Sequence, residues 1–321
     1  MQIRSCSILT SLSLVASLLK HAHAADGPGR LSRLVTFGDS YTDIVSVGDG
    51  GTAWPVYAVG YANATLFPFA KSGAVCSQDL TPRPFPGVVQ DELPAYLAQS
   101  QTGSIAVPSN ETLYTLWIGT NDLGPTTLLL GQAIVNNATI VDVMECAVNW
   151  VKTLYDSGAR NFLFQNLVPL DHVILYQANS YPNRFWTDIR NTTEWNLFMS
   201  ELVAGGNAIS RLLLRALAST LPGAHVGLFD SHALFTDILN NPAEYLNGTA
   251  PFNTTGCVNS CIFPLGNGSA APVCTVAKGS DRDSFVWFDE LHPSEQADRV
   301  VAREIANILE GIGSKWATWF S

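Results

Sequence analysis

A serine near one end of the chain and a histidine–aspartate pair near the other have the types and spacing of a nucleophilic site. Ser40 lies in Phe37-Gly38-Asp39-Ser40-Tyr41, directly after a short apolar, β-prone run at residues 34–37 that Gly38-Asp39 breaks. The pattern predicts a strand ending in a turn. That leaves the Ser40 hydroxyl at the strand's C-terminal edge, where open α/β sheets carry their chemistry. A Gly-Asp-Ser turn is common and proves little alone. Asp289-Glu290-Leu291-His292-Pro293 adds a carboxylate and an imidazole three residues apart. A serine becomes a nucleophile when a base takes its proton, and the base needs a third group to fix its tautomer. Ser40, His292 and Asp289 read as those three catalytic residues.

Two further segments end at the same edge. Residues 113–118 read as a strand, and Gly119-Thr120-Asn121-Asp122 follows, so the Asn121 amide can donate towards Ser40. A weaker strand at residues 66–69 runs into Ala70-Lys71-Ser72-Gly73-Ala74. Gly73 there admits a ligand close to the backbone and offers its N–H. Asp39 reads as a turn and packing residue, with Asp43 as a second acid beside the serine. His172, just beyond a strand end, and Trp54 and Trp117, near the site segments, are the candidates for lining a substrate cleft. His225 and His232 read as packing or surface. Gly48-Asp-Gly-Gly51 lacks the lysine of a phosphate loop, and no Gly-x-Ser-x-Gly elbow occurs.

These residues must be positioned by alternating elements. Strand-like runs at 34–37, 66–69, 113–118, 161–166 and 225–229 alternate with helical patterns at 141–156, 193–219 and 294–311, the last starting at Ser294. The alternation predicts an α/β fold with a parallel sheet covered on both faces. No linker or repeat interrupts it, and the two halves of the site must meet, so residues 25–321 are expected to form a single domain. Residues 256–280, rich in Gly, Pro and Cys, read as a surface excursion before the last helix.

Arg4, the apolar stretch 7–19 and Ala22-His23-Ala24 have the form of a secretory leader ending at residue 24. Seven Asn-x-Ser/Thr sites, at Asn63, Asn110, Asn137, Asn191, Asn247, Asn253 and Asn267, point to a glycosylated extracellular protein of a eukaryotic host. The formal charge is −10, and about −12 once Arg4 and Lys20 leave with the leader, which argues against nucleic acid and anionic membranes as partners. Cys6 also leaves, and the cluster Cys257, Cys261 and Cys274 is expected to hold a disulfide in an oxidising compartment. A zinc site is the weaker alternative, since no His is near. Cys146, in an apolar helical stretch, is expected to be the free, buried thiol. No metal or other cofactor is expected, and the default oligomeric state is a monomer.

Four blocks in order, Phe37-Gly-Asp-Ser-Tyr-Thr-Asp43, Lys71-Ser-Gly-Ala74, Ile118-Gly-Thr-Asn-Asp-Leu123 and Asp289-Glu-Leu-His-Pro293, resemble the SGNH hydrolases, also called the GDSL esterase/lipase family. The resemblance spans nearly the whole mature chain. It implies a flavodoxin-like three-layer α/β/α sandwich with a parallel five-stranded sheet. It also implies Ser40 as nucleophile, His292 as base, Asp289 as its orienting acid, and an oxyanion hole of Ser40 N–H, Gly73 N–H and the Asn121 side chain. Ser72-Gly-Ala-Val-Cys76, Glu92-Leu-Pro-Ala-Tyr96 and Ile118-Gly-Thr-Asn-Asp-Leu-Gly124 look most like fungal secreted acetylesterases of carbohydrate esterase family 16. That implies an ester substrate such as an acetylated xylo-oligosaccharide. The competing readings are a lipase or phospholipase on longer acyl chains and a non-catalytic secreted glycoprotein.

Overall fold

A computed structural model of the chain describes residues 27–131, 136–266 and 268–321. The expected leader and Asn267 lie outside the described residues. β1 (Arg33–Gly38) is buried at every position after Arg33, so its apolar run is continuous, as a strand covered on both faces requires. α1 (Trp54–Ala62) returns the chain to β2 (Thr65–Pro68), which pairs in parallel with β1 on one side; β3 (Thr112–Trp117) pairs in parallel on the other. α2 (Leu93–Gln101), α3 (Ile140–Asp156) and α4 (Thr192–Ala218) separate β2, β3, β4 (Asn161–Gln165) and β5 (His225–Phe229). The parallel strands lie in the order β2-β1-β3-β4-β5, the flavodoxin-like arrangement in which the order reverses between β1 and β3.

The sheet differs from the five-strand expectation in having a sixth member. After α5 (Ser231–Asn240), α6 (Pro242–Tyr245) and the last long helix comes a short C-terminal strand, which pairs antiparallel with β5 through Ala317↔Phe229 and Trp319↔Gly227. Three residues are too few to display a period, so this edge was invisible as a pattern.

Packing divides the core between the two faces. Leu34, Leu113 and Leu163 join Trp54 and Ala58 of α1 in one buried cluster. Val35, Phe37, Tyr114, Leu116, Phe162 and Phe164 join Tyr96 of α2 and Trp150 of α3 in the other. α3 starts at a capping box formed by Thr139 and Asp142. α4 is long and apolar enough, by length and composition alone, to cross a membrane. Here it lies on the sheet with Trp195, Met199, Val203, Gly206, Ser210, Leu214 and Ala218 buried at helical spacing.

The excursion before the last helix holds more structure than expected. β6 (Asn253–Cys257) pairs in parallel with β9 (Phe285–Trp287), and β7 (Asn259–Ile262) pairs antiparallel with β8 (Val273–Val276). α7 (Glu295–Leu309) follows, and Ser294 caps it by accepting from the Ala297 N–H at 3.1 Å; β10 (Ala317–Trp319) is the antiparallel edge strand.

The cysteines include the disulfide expected within the 257–274 cluster and correct one expectation. Cys261 and Cys274 are bonded to each other, facing across β7 and β8, and Cys257 is the free thiol among the described residues, buried, with burial pushing its pKa up to about 12. Cys146 is not free: it is bonded to Cys76, which follows the Gly73 segment. The apolar helix around Cys146 suggested a core residue, but its partner comes from a loop 70 residues away that local pattern does not report.

Closing a loop of that length restricts the unfolded chain by about 4 kcal/mol. Replacing Cys76 and Cys146 together by Ser should lower the thermal midpoint by about 10 °C. Thiol titration of the unreduced protein should find one reactive thiol, Cys257, and only after denaturation. An unchanged midpoint, or a thiol that titrates in the native state, would contradict this arrangement.

Candidate active site

β1, β2 and β3 deliver the N-terminal three blocks to a single edge. Gly38 ends β1 with φ +138°, and a Cβ there would lie 2.2 Å from the Trp117 carbonyl oxygen of β3, so only glycine fits. The chain then turns. The Asp39 carbonyl accepts from the Thr42 and Asp43 N–H groups, and its carboxylate Oδ1 accepts from the Tyr41 N–H at 3.0 Å. This is the turn role expected for Asp39. Its other carboxylate oxygen is buried without a partner among the described residues, and desolvation pushes its pKa up to about 7.

The C-terminal block reaches the same edge from β9. Phe288 N–H donates to the His292 carbonyl at 2.8 Å, closing a tight loop, and Asp289 Oδ1 accepts from the Leu291 and His292 N–H groups. The Tyr41 hydroxyl donates to the Leu291 carbonyl at 2.7 Å, tying this loop to the serine turn. Within that frame His292 Nε2 lies 2.8 Å from Ser40 Oγ, and His292 Nδ1 lies 3.0 Å from Asp289 Oδ1. Burial alone would push the imidazole pKa down. The Asp289 charge and hydrogen bond, helped by Asp39 and Asp49, outweigh it and raise it. Burial likewise opposes the Asp289 charge, but His292 and the two N–H donors hold that carboxylate below its usual range. The arrangement can take a proton from the serine and keep it on the imidazole.

Two N–H groups at this edge, those of Ser40 and Gly73, make no hydrogen bond to the described residues. Gly73 has φ +82°, and the Phe85 ring packs where its Cβ would be, 2.5 Å away. Asn121 is buried, and its Nδ2 donates to the Ala74 carbonyl at 2.9 Å, leaving one N–H uncommitted. Its Oδ1 accepts from the Arg83 guanidinium.

Carboxylates whose partners are not legible in the sequence hold these loops together. The buried Glu92 carboxylate accepts from the Gly38 N–H at 2.9 Å and the Lys71 N–H at 3.2 Å. Asp43 accepts from the Ser72 N–H at 2.9 Å, joining the serine turn to the Gly73 segment. Asp122 accepts from the Cys76 N–H and from Thr81 Oγ1 at 2.6 Å. Farther back, Glu290 accepts from Arg184 Nε at 2.8 Å and the Cys261 N–H at 2.6 Å, fastening the disulfide hairpin behind the histidine loop. Their signal lay in plain sight: each lies within a site block or next to one, but an acid's partners appear only after folding.

Two of the three expected cleft residues sit in the core. Trp54 has no exposed surface, and its indole N–H points to Thr42 Oγ1 at 3.3 Å. Trp117 is 2% exposed, stacks edge-on under Tyr41 and donates to the Asn166 carbonyl. Neither can present a face to a sugar; large rings beside a site segment in the sequence went into the core beneath it. The His172 side chain is 58% exposed and lies 3.7 Å from Asp171. The rings at the site are instead Phe85, over Gly73, and Phe185, 5.7 Å from the imidazole. Of the described sequons, Asn63, Asn110, Asn137, Asn191 and Asn247 are exposed, while Asn253 is half-buried and its side-chain oxygen caps a turn at Thr255 and Gly256.

The family profile described as GDSL-like lipase/acylhydrolase matches residues 34–305. A protein of Hypocrea jecorina named acetylesterase is 30% identical over an alignment covering 98% of this chain and 99% of the relative. A second acetylesterase, from Thermothelomyces thermophilus, is 24% identical and covered over 88% of its length. Among solved structures, an acetylxylan esterase of Geobacillus stearothermophilus, Axe2, aligns over 90% of this chain and 97% of its own at 15% identity, with a TM-score of 0.39.

Gly48 lies against the imidazole: a Cβ there would meet His292 Cδ2 at 2.4 Å. Gly48→Ala should therefore push His292 off Ser40 and slow labelling of Ser40 by a fluorophosphonate about 100-fold, with little change in thermal midpoint. Labelling at the wild-type rate would show that the contact does not position the ring.

Proposed function

The chain belongs to the GDSL-like lipase/acylhydrolase family and is a carboxylic ester hydrolase; we propose that it is a secreted serine acetylesterase that removes acetyl groups from carbohydrates. The observation that carries the reading is the unbroken hydrogen-bonded line from Asp289 through His292 to Ser40. Residues 25–321 act as a single catalytic domain.

His292 Nε2 takes the Ser40 proton as Oγ attacks the ester carbonyl, and Asp289 stabilises the imidazolium. The oxyanion is received by the N–H groups of Ser40 and Gly73 and by the free N–H of Asn121. His292 then protonates the leaving alcohol. Water, activated by the same base, releases acetate from the acyl-enzyme and restores Ser40. A small acyl group is favoured because Phe85 fills the space beside Gly73 and Phe185 stands against the imidazole. The acetylesterase names of the full-length relatives support the same choice. Secretion is supported by the leader-like N-terminus, by the sequons and by two disulfides, which persist in oxidising compartments.

A series of 4-nitrophenyl esters from acetate to palmitate tests the reading. Turnover should be greatest on acetate, collapse by butyrate or hexanoate, and vanish in Ser40→Ala. A maximum at octanoate or beyond would assign the protein to longer acyl chains, and activity surviving in Ser40→Ala would remove the serine from the mechanism.

The base must be neutral to accept the proton, and its pKa is raised. The acid limb of kcat/KM should therefore have its midpoint above about 6.5, the ordinary imidazole value. Asp289→Asn removes the charge that raises it, so any remaining activity should show a limb at lower pH. A limb that does not move would contradict the role given to Asp289.

A further inference from the structure

We propose that Arg83 is a positioning residue of the oxyanion hole, which fixes and polarises the Asn121 amide through its oxygen without itself binding the ester. The inference rests on the reading of Asn121 as an oxyanion donor and extends it to a residue outside the four family-like blocks.

An amide side chain can be turned either way, and its two partners here decide the matter. A guanidinium only donates and a backbone carbonyl only accepts. With Arg83 on Oδ1 and the Ala74 carbonyl on Nδ2, the turned amide would face two mismatched groups. The remaining Nδ2 hydrogen is thereby fixed in direction. A cation on the amide oxygen also draws electron density from the nitrogen, which strengthens its N–H as a donor, as in other chains of hydrogen bonds.

The surroundings keep this cation available for that task. Among the described residues Arg83 makes no ion pair with a carboxylate. Its guanidinium stacks over the Phe85 ring, 5.1 Å from the centroid, and the Arg83 backbone N–H donates to Gln78 Oε1 at 2.8 Å. Gln78 in turn donates to the Phe85 carbonyl, so the loop carrying both side chains is pinned to itself. The charge acts on both Asp39 and Asp122, two buried acids behind the site. Ester attack adds a negative charge in front of the buried acids Asp39 and Asp122 and beside Asp289. Arg83 is a partly buried cation bonded to the Asn121 amide there, whereas Lys71 is exposed.

The test is a double-mutant cycle on 4-nitrophenyl acetate with Arg83→Ala, Asn121→Ala, the double variant and Arg83→Lys, with Ser40→Ala as the inactive reference. Arg83→Ala should lower kcat about 10- to 30-fold and leave KM within about threefold. Arg83→Lys should recover part of the loss, and the double variant should be no slower than Asn121→Ala alone, because Arg83 acts through that amide. If Arg83→Ala fails to fold, Arg83→Lys and Arg83→Gln carry the comparison. Wild-type kcat in the Arg83 variants, a loss confined to KM, or losses that multiply in the double variant would each overturn the proposal. Asn121→Ala at wild-type kcat beside an inactive Ser40→Ala would overturn both the Arg83 role and the oxyanion role of Asn121. Activity in Ser40→Ala would instead defeat the serine mechanism itself.

Discussion

The site depends on a buried carboxylate, that of Glu92, held between the N–H of Gly38 at the end of β1 and the N–H of Lys71 beyond β2. Both strands end near this carboxylate, and the Lys71 N–H is shared between it and the Gly38 carbonyl at 2.9 Å. The Gly38 N–H is buried, where an unpaired donor costs about 1–3 kcal/mol. Glu92 supplies one oxygen to each and so fixes the serine turn relative to the Gly73 segment. Burial raises its pKa well above the usual carboxylate range, offset in part by those two donors. Asp43 repeats the connection one turn later through Ser72. The proposed nucleophile and the proposed backbone donor are thus held by acids, in a chain whose net charge is already −10.

That choice has an electrostatic consequence. Asp39 and Asp122 are buried behind the same edge, with burial raising their pKa to about 7 and about 6. A reaction that builds negative charge on an oxygen would be opposed by ionised acids so close. Hydrogen-bond donors with no other partner, and a cation behind one of them, balance the field. The acids therefore position the loops, and in the proposed mechanism the donors at Ser40, Gly73 and Asn121, with Arg83 behind, make the pocket able to accept charge.

How much of this was legible in the sequence varied with range. The parallel strands and the long helices read correctly because a strand buried on both faces is a continuous apolar run and a helix on a sheet is periodic. Ser294 announced the start of α7 because a cap is a local device. The approach of Ser40 to His292 followed from chain topology, since both had to end at one sheet edge. What failed was long-range pairing. Cys146 found Cys76, and Cys257 stayed free, because a disulfide depends on which surfaces meet. Trp54 and Trp117 lay near site segments in the chain and yet below them in space. The three-residue β10 carried too little pattern, Arg83 carried none that distinguished it from a solvated charge, and Glu92 stood in a family-like block with no partner to reveal its role.

The most direct measurement is a crystal structure of the protein after Ser40 has been phosphonylated with a small alkyl phosphonate, a stable stand-in for the tetrahedral acetyl intermediate. The account predicts a bond to Ser40 Oγ, with the phosphoryl oxygen within about 3 Å of Ser40 N, Gly73 N and Asn121 Nδ2, and Arg83 still on the Asn121 oxygen. A phosphoryl oxygen turned to solvent, or a phosphonate attached to another residue, would contradict it.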